Sequence, residues 1–247
     1  MRELWDANLE WCDGRDYAAS ATLRDLKSLD KVLDFIKSEK IYRMLDCGCG
    51  YGGLCAYISK RLAIDEVHGI DINEKRLHVA RSRGIIAHKV DLNIQAFPFP
   101  SSYFDLVTSF GVIEHLIFYD NFLREAYRVL KKDGFFILSM PNLGSYVNRV
   151  ALLFGYQPRD VEISQAFSPG IMPMYKKEQG IFHLHSATLR AIKELLTFYN
   201  FHIILTVPLM PTMTSSNKLY SSIMYALDKT IGRIPSLSRR IVILARK

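Results

Sequence analysis

The chain has 247 residues, 49% of them hydrophobic and 23% charged, with a formal net charge of +7. That is the composition of an ordinary globular protein, long enough for one large or two small domains with a proper core. No uninterrupted apolar run of about 18 residues occurs, which excludes a membrane-spanning helix.

The N-terminal stretch MRELWDANLEWCDGRDY is polar and acidic and lacks the apolar core of a signal peptide, so a cytoplasmic protein is expected. Residues 16–40 carry Leu23, Leu26, Leu29, Leu33 and Ile36 at three- and four-residue steps, the pattern of a helix. Trp5, Trp11 and Tyr17 precede it as packing residues. A strand is expected over 41–46, then a glycine turn and a helix near 53–62. A second strand follows at 66–71, and Asn73 and Gly84 bracket a capped helix. Further strands are read at 85–91, 103–111 and 135–140, with an amphipathic helix over 120–131 and a turn at Asp133–Gly134.

Strands alternating with helices imply an α/β fold, a doubly wound, mostly parallel sheet. After residue 185 come a helix through Leu189, Ile192, Leu195, Leu196 and Tyr199, a strand at 201–207, a helix at 218–229 and a final strand at 239–245. That order suits a seven-stranded sheet with an antiparallel last strand. A single domain is therefore expected over 1–247. It comprises an N-terminal helical cap (1–40), a core (41–141), a substrate-facing insertion or lid (142–185) and a C-terminal helix with an antiparallel strand pair (186–247). The insertion contains Pro158, Pro169 and Pro173 and is too long for a plain loop.

Basic charge is uneven. Residues 201–247 hold seven Lys or Arg against one acid, Asp228, leaving 25 basic and 24 acidic residues over 1–200. A basic end attracts anionic partners or simply solubilises the surface. Of the four cysteines, Cys12, Cys47, Cys49 and Cys55, three surround the glycine loop. The one-residue spacing of Cys47 and Cys49 is too close for a metal knuckle, and they are read as small side chains in a crowded turn.

Gly48, Gly50 and Gly53 match G-x-G-x-x-G, the spacing of dinucleotide loops. In open parallel sheets ligands sit beyond the strand carboxyl ends. There the first three strands deliver Asp46, Asp71 and Asp91, three carboxylates that suit a pyrophosphate poorly. They suit a ribose diol, an adenine amino group and an ammonium, the features of S-adenosylmethionine.

The stretches LDCGCGYGG, VHGIDINEKRLHVAR, VDLNIQAFPFPSSYFDLVTSFGVIEHL and LREAYRVLKKDGFFILSMPN resemble, in order, the motifs of class I S-adenosylmethionine-dependent methyltransferases. The nearest likeness is to the type 11 group of ubiquinone and small-molecule methyltransferases. The resemblance is strong over 40–142 and weaker over 180–247. It implies a Rossmann-like methyltransferase fold with S-adenosyl-L-methionine as cofactor. It further implies that Asp46, Gly48 and Gly50 line the methionine end, that Asp71 binds the ribose hydroxyls and that Ile72 packs on adenine. Asp91 and the Leu92 backbone would meet the adenine edge, and Phe110 would lie near the methionine portion.

A base helps when the acceptor is a hydroxyl or protonated amine, and His115, beside Glu114 just after the fourth strand, is the candidate general base. Glu114, His183, His185 and Tyr146 are candidate substrate contacts. His183 and His185 share a face if extended, but no third ligand is nominated, so no metal site is expected. No N-P-P-Y or D-P-P-Y tetrapeptide follows the fourth strand; by resemblance this argues against base-amino methylation of nucleic acid. The expected reaction is methyl transfer to O or N of a small molecule, a lipid- or sugar-linked metabolite included. The segment PNLGSYVNRVALLFGYQP loosely resembles methyltransferases of bacterial polysaccharide synthesis. The alternatives are an RNA methyltransferase using the basic C-terminal region, an NAD-dependent oxidoreductase, and a cofactor-binding subunit without catalysis.

Overall fold

A computed structural model of the chain describes residues 28–164, 166–175, 183–209 and 218–247. Cys12 and the N-terminal aromatics lie outside the described residues. The first described helix, α1, runs through residues 28–36. It is followed by β1 (Arg43–Cys47), α2 (Gly53–Leu62), β2 (Glu66–Asp71), α3 (Glu74–Ser82), β3 (Ile86–Lys89) and β4 (Phe104–Phe110). A 3-10 turn at Ile113–His115 leads to α4 (Asp120–Val129) and β5 (Leu130–Pro141). The remaining elements are α5 (Tyr146–Leu153), α6 (Leu189–Phe198), β6 (His202–Leu209), α7 (Lys218–Thr230) and β7 (Arg240–Arg246).

The seven strands form one sheet in the order β3-β2-β1-β4-β5-β7-β6. β1 to β5 pair in parallel, and β7 lies antiparallel between β5 and β6. The expected fold class is thus what the structure shows, and the last strand is the reversed one.

Alternation along the strands divides the core in two. On β7, Ile241, Ile243 and Ala245 enter one cluster while Val242 and Leu244 enter the other. On β5, Phe136, Leu138 and Met140 oppose Phe135 and Ile137 in the same way. The first face is covered by Phe122, Leu123, Ala126 and Val129 of α4 and by Ile192 and Leu196 of α6. The second is covered by Leu29, Val32, Leu33 and Ile36 of α1 and Ile58 of α2. Each large side chain buried in this way contributes roughly 1.5–3 kcal/mol.

Local signals account for the element ends. Asn73 caps α3 by accepting the Arg76 N–H, and Gly84 just beyond it takes φ 81°. The turn read at Asp133–Gly134 lies inside β5: Asp133 has φ 63°, and regular pairing with β4 resumes at Phe135. One helix is absent from the sequence reading. Within 142–185, α5 is capped by Ser145, whose hydroxyl accepts the Asn148 N–H, and it buries Val147 and Ala151 one turn apart. Gly155, at φ 75°, follows its end.

Candidate active site

The loop after β1 is held by its neighbour strand: Gly48 N and Cys49 N both donate to Ile70 O, at 2.7 and 3.1 Å. Gly48 needs its missing side chain, because with φ 77° a Cβ would lie 2.2 Å from Val112 Cγ2. Gly50 is different. Its φ is 53°, and a Cβ there would meet nothing within 4 Å, so it faces open space.

Asp71 ends β2 and ties the site together. Oδ2 accepts from Gly50 N at 3.0 Å, and Oδ1 from Asn73 N at 2.8 Å. Asp91 accepts on Oδ1 from both the backbone and side-chain nitrogens of Asn93 at 2.9 Å. Asn93 in turn accepts from Ile117 N at 2.8 Å, which fixes the β3 loop to the segment after β4.

These ends surround a crevice of about 440 Å3 lined by Gly48, Asp71, Ile72, Asp91, Leu92 and His115 among others. That volume suits a small-molecule cofactor. Ile72 is 60% exposed at its wall, an apolar face with no protein covering it. Arg76, Asn93, Gly111 and Val112 also line it and were not picked out from the sequence. Asn93 and Val112 are recognisable only through their partners, Asp91 and Gly48.

Three expected site residues are placed elsewhere. Asp46 does not line the crevice. It is 3% exposed, pairs with Thr108 across β1 and β4, and lies beneath the loop. Its carboxylate accepts from Thr108 Oγ1 at 2.7 Å and from Cys55 Sγ at 3.2 Å. Burial, aided by the charge of Asp71, pushes its pKa up to about 6. Phe110 is half-buried against the α1-side cluster and is not among the crevice-lining residues. Tyr146 is buried with Val147 and Met224, and its hydroxyl donates to Asp228 at 2.9 Å rather than facing the crevice. Asp228 also pairs with buried Arg239, whose Nε donates to it at 3.0 Å. Cys47, Cys49 and Cys55 are buried free thiols pushed upward in pKa by desolvation, in keeping with packing roles.

Beside the crevice a cluster forms whose members the sequence named but did not group. His115 is exposed and lines the crevice, and its ring lies 4.9 Å from that of buried His183. Glu114 is 1% exposed; its Oε1 is 4.0 Å from His183 Nε2 and 3.6 Å from Arg240 Nη2. Burial raises the Glu114 pKa against the pull of Arg240. Asp160 Oδ1 lies 3.9 Å from His183 Nδ1. The Glu114 carbonyl accepts from Leu184 N at 2.9 Å and His185 N at 3.3 Å, strapping 183–185 onto the 3-10 turn. His185 stands apart from the cluster, near the rings of Phe118 and Tyr119.

The basic C-terminal residues are largely engaged inside the fold. Arg239 meets Asp228, Arg240 approaches Glu114, and Arg246 Nη2 lies 3.7 Å from Glu39. Lys247 Nζ donates to the carbonyls of Tyr127 at 2.6 Å and Leu130 at 2.8 Å, at the end of α4. No described helix is long and apolar enough to cross a membrane.

Residues 45–138 match a family model described as a methyltransferase domain. Over 100 residues the chain is 39% identical to the ubiquinone/menaquinone biosynthesis C-methyltransferase UbiE of Vibrio campbellii, covering 37% of this chain and 38% of that protein. Over 124 residues it is 31% identical to ajmaline N-methyltransferase of Rauvolfia serpentina, covering 46% and 42%. The chain thus spans about two fifths of the length of these curated relatives. The solved structure of an S-adenosylmethionine-dependent methyltransferase from Archaeoglobus fulgidus superposes with a TM-score of 0.58 at 19% identity, covering 91% of this chain and 94% of that one.

The sheet order and this superposition show a Rossmann-like fold. Over residues 45–138 the chain is similar to the methyltransferase-domain family, and S-adenosyl-L-methionine is the cofactor that this likeness implies. The crevice fits that cofactor. Asp71 and Asp91 offer acceptors, and Ile72 and Leu92 offer apolar faces. Two carboxylates line it rather than three, because Asp46 is buried beneath the loop.

Proposed function

We propose that this protein transfers a methyl group from S-adenosylmethionine to an oxygen or nitrogen of a small-molecule acceptor. The observation carrying this reading is the Glu114–His115–His183 cluster beside the crevice that Asp71 and Asp91 line. When bound, the cofactor supplies a methyl group already activated by a sulfonium. What the chain must add is position, which for well-aligned reactants is worth roughly 7–11 kcal/mol, and a place for the acceptor's proton.

In this reading Asp71 accepts from the ribose hydroxyls, while Ile72 and Leu92 hold the adenine between apolar faces. Asp91, fixed by Asn93, presents its remaining acceptor to the adenine edge. Asp46 is a positioning residue that braces the glycine loop through Thr108 and Cys55. Proton removal from the acceptor falls to the histidine cluster, with His115 the member that reaches the crevice. Residues 183–185, strapped to Glu114 through Leu184 and His185, stand on the acceptor side in this reading.

The test incubates the protein with methyl-tritiated S-adenosylmethionine and fractionated cell extract, followed by mass analysis of the labelled product. A labelled small molecule methylated on O or N is the expected result. His115→Ala should lower kcat by about 10²–10⁴-fold, the usual share of a proton-transfer group. Label recovered in RNA or protein, or on carbon, would overturn the acceptor assignment.

A further inference from the structure

Glu114, His115 and His183 each bring one ligand atom to within 4.8 Å of the others. We propose that these three side chains bind a divalent first-row transition ion, Zn2+ fitting best, beside the crevice. The role we give the ion rests on the methyl-transfer reading; its binding does not.

The donor set is the first argument. Two imidazoles and one carboxylate are the set of open catalytic zinc sites, which keep a further position for water or substrate. The second is placement. Glu114 and His183 are 1% and 6% exposed, two buried ligands behind His115, which is exposed and lines the crevice. Through His115 the ion would adjoin the crevice.

The third argument is an unsatisfied oxygen. Glu114 Oε1 is approached by Arg240, but Oε2 is buried and accepts no hydrogen bond from the described residues. A buried acceptor in that state is costly, more so for a carboxylate. A cation held by both carboxylate oxygens would remove the deficit at Oε2 while engaging Oε1, the oxygen 4.0 Å from His183 Nε2. The fourth is Asp160, 3.9 Å from His183 Nδ1 on the side away from Glu114. At that distance it makes no hydrogen bond, and it would close by about 1 Å to orient a ligating imidazole as carboxylates do in metal sites.

The distances are close to what an ion needs. With bonds of about 2.0–2.1 Å, tetrahedral ligand atoms stand roughly 3.3 Å apart. Closing from 4.8 Å takes at most about 1.5 Å, within reach of the exposed His115 side chain turning about its rotamers. Bound there, the ion would lower the pKa of a coordinated acceptor hydroxyl so that its proton leaves to solvent near neutral pH. His115 then acts as a ligand, and the nucleophile is the coordinated alkoxide or phenoxide.

Direct binding decides the matter. Full-length protein is stripped with chelator and titrated calorimetrically with ZnCl2; metal content is counted after gel filtration, and Co2+ is added to a second sample for its d–d spectrum. We expect one ion per chain and the intense visible absorption of four-coordinate cobalt. Glu114→Gln and His183→Ala should each weaken zinc binding at least about tenfold, the lower bound known for groups that merely support ligands. His185→Ala, outside the cluster, should bind as wild type. Circular dichroism verifies that each variant folds, and Glu114→Gln keeps the shape of the side chain should His183→Ala fail to. No bound ion, or unchanged affinity in Glu114→Gln, would overturn the site. The thermal shift with S-adenosylmethionine is recorded on the stripped protein. Loss of zinc binding with that shift intact sinks the ion site alone, whereas zinc binding without the shift sinks the methyl-transfer reading.

Discussion

Asp46→Asn should make this protein more stable at neutral pH. The wild-type carboxylate is 3% exposed, with Thr108 and Cys55 as its hydrogen-bond donors, and its pKa stands at about 6 against 3.8 for an unperturbed group. An unfolded chain ionises this aspartate near 3.8, but the folded one keeps the proton until about 6. Between those values the folded state binds more protons, so stability falls as pH rises. Below the window the residue carries no penalty; above it the penalty is complete. About two pKa units at 1.36 kcal/mol each give a penalty on the order of 3 kcal/mol, undiminished by solvent because the group is buried.

Asparagine never ionises and so escapes this penalty. Its oxygen can still accept from Thr108, while its amide faces the Cys55 sulfur, a weak acceptor, at a loss of about 1 kcal/mol. The net gain above pH 7 is then about 2 kcal/mol, or a rise in Tm of about 4–8 °C for a chain of this size. Urea denaturation of both proteins from pH 4 to pH 8 checks this. The difference should be slightly negative near pH 4, climb through pH 5 to 6 and level off above pH 7. A difference independent of pH, or a variant less stable at pH 8, would refute the claim that Asp46 is a strained, buried charge.

Gly48→Ala should lose about 2–4 kcal/mol, from overpacking against Val112 plus the left-handed backbone. Gly50→Ala should lose only about 1–2 kcal/mol of strain, since a Cβ there meets nothing within 4 Å; on the reading that the loop carries the cofactor, the thermal shift with S-adenosylmethionine should shrink while the fold persists. The pair is read by thermal denaturation with and without cofactor, and a larger loss for Gly50 would reverse the assignment of packing and binding roles. Asp228→Ala leaves Arg239 buried without its carboxylate and Tyr146 without its acceptor. It should cost about 3–5 kcal/mol by chemical denaturation, the usual result of halving a buried ion pair.

The part of the fold set by short-range pattern was readable from the sequence. Helix 53–62 and strand 66–71 occur with the bounds expected of them, because periodicity, Asn73 and the glycines are local signals. Helix α5 was missed because its evidence is one serine cap and a single i,i+4 apolar pair among prolines and aromatics. The position of Asp46 was misjudged for a geometric reason. A residue at a strand's end need not present its side chain beyond that end, and this one pairs with Thr108 inside the sheet. The members of the Glu114–His115–His183 cluster were named from the sequence but not as a group, since His183 lies within the 142–185 insertion, far along the chain from Glu114, and nothing local links them.

The C-terminal charge shows the same limit in another form. Counting residues finds an excess of cations after position 200, and such an excess invites a phosphate-binding reading. Packing redistributes it. Arg239 is matched by Asp228 on α7, Arg240 is carried by β7 to Glu114, and Lys247 is turned onto the carbonyls at the end of α4. A cation already held by a buried carboxylate or a helix end has little left to offer a phosphate, because the same donors would have to be given up. Arg240 makes the point most directly. The last strand of the sheet delivers it to the one buried glutamate of the candidate active site, so its charge serves the site from within rather than a surface patch.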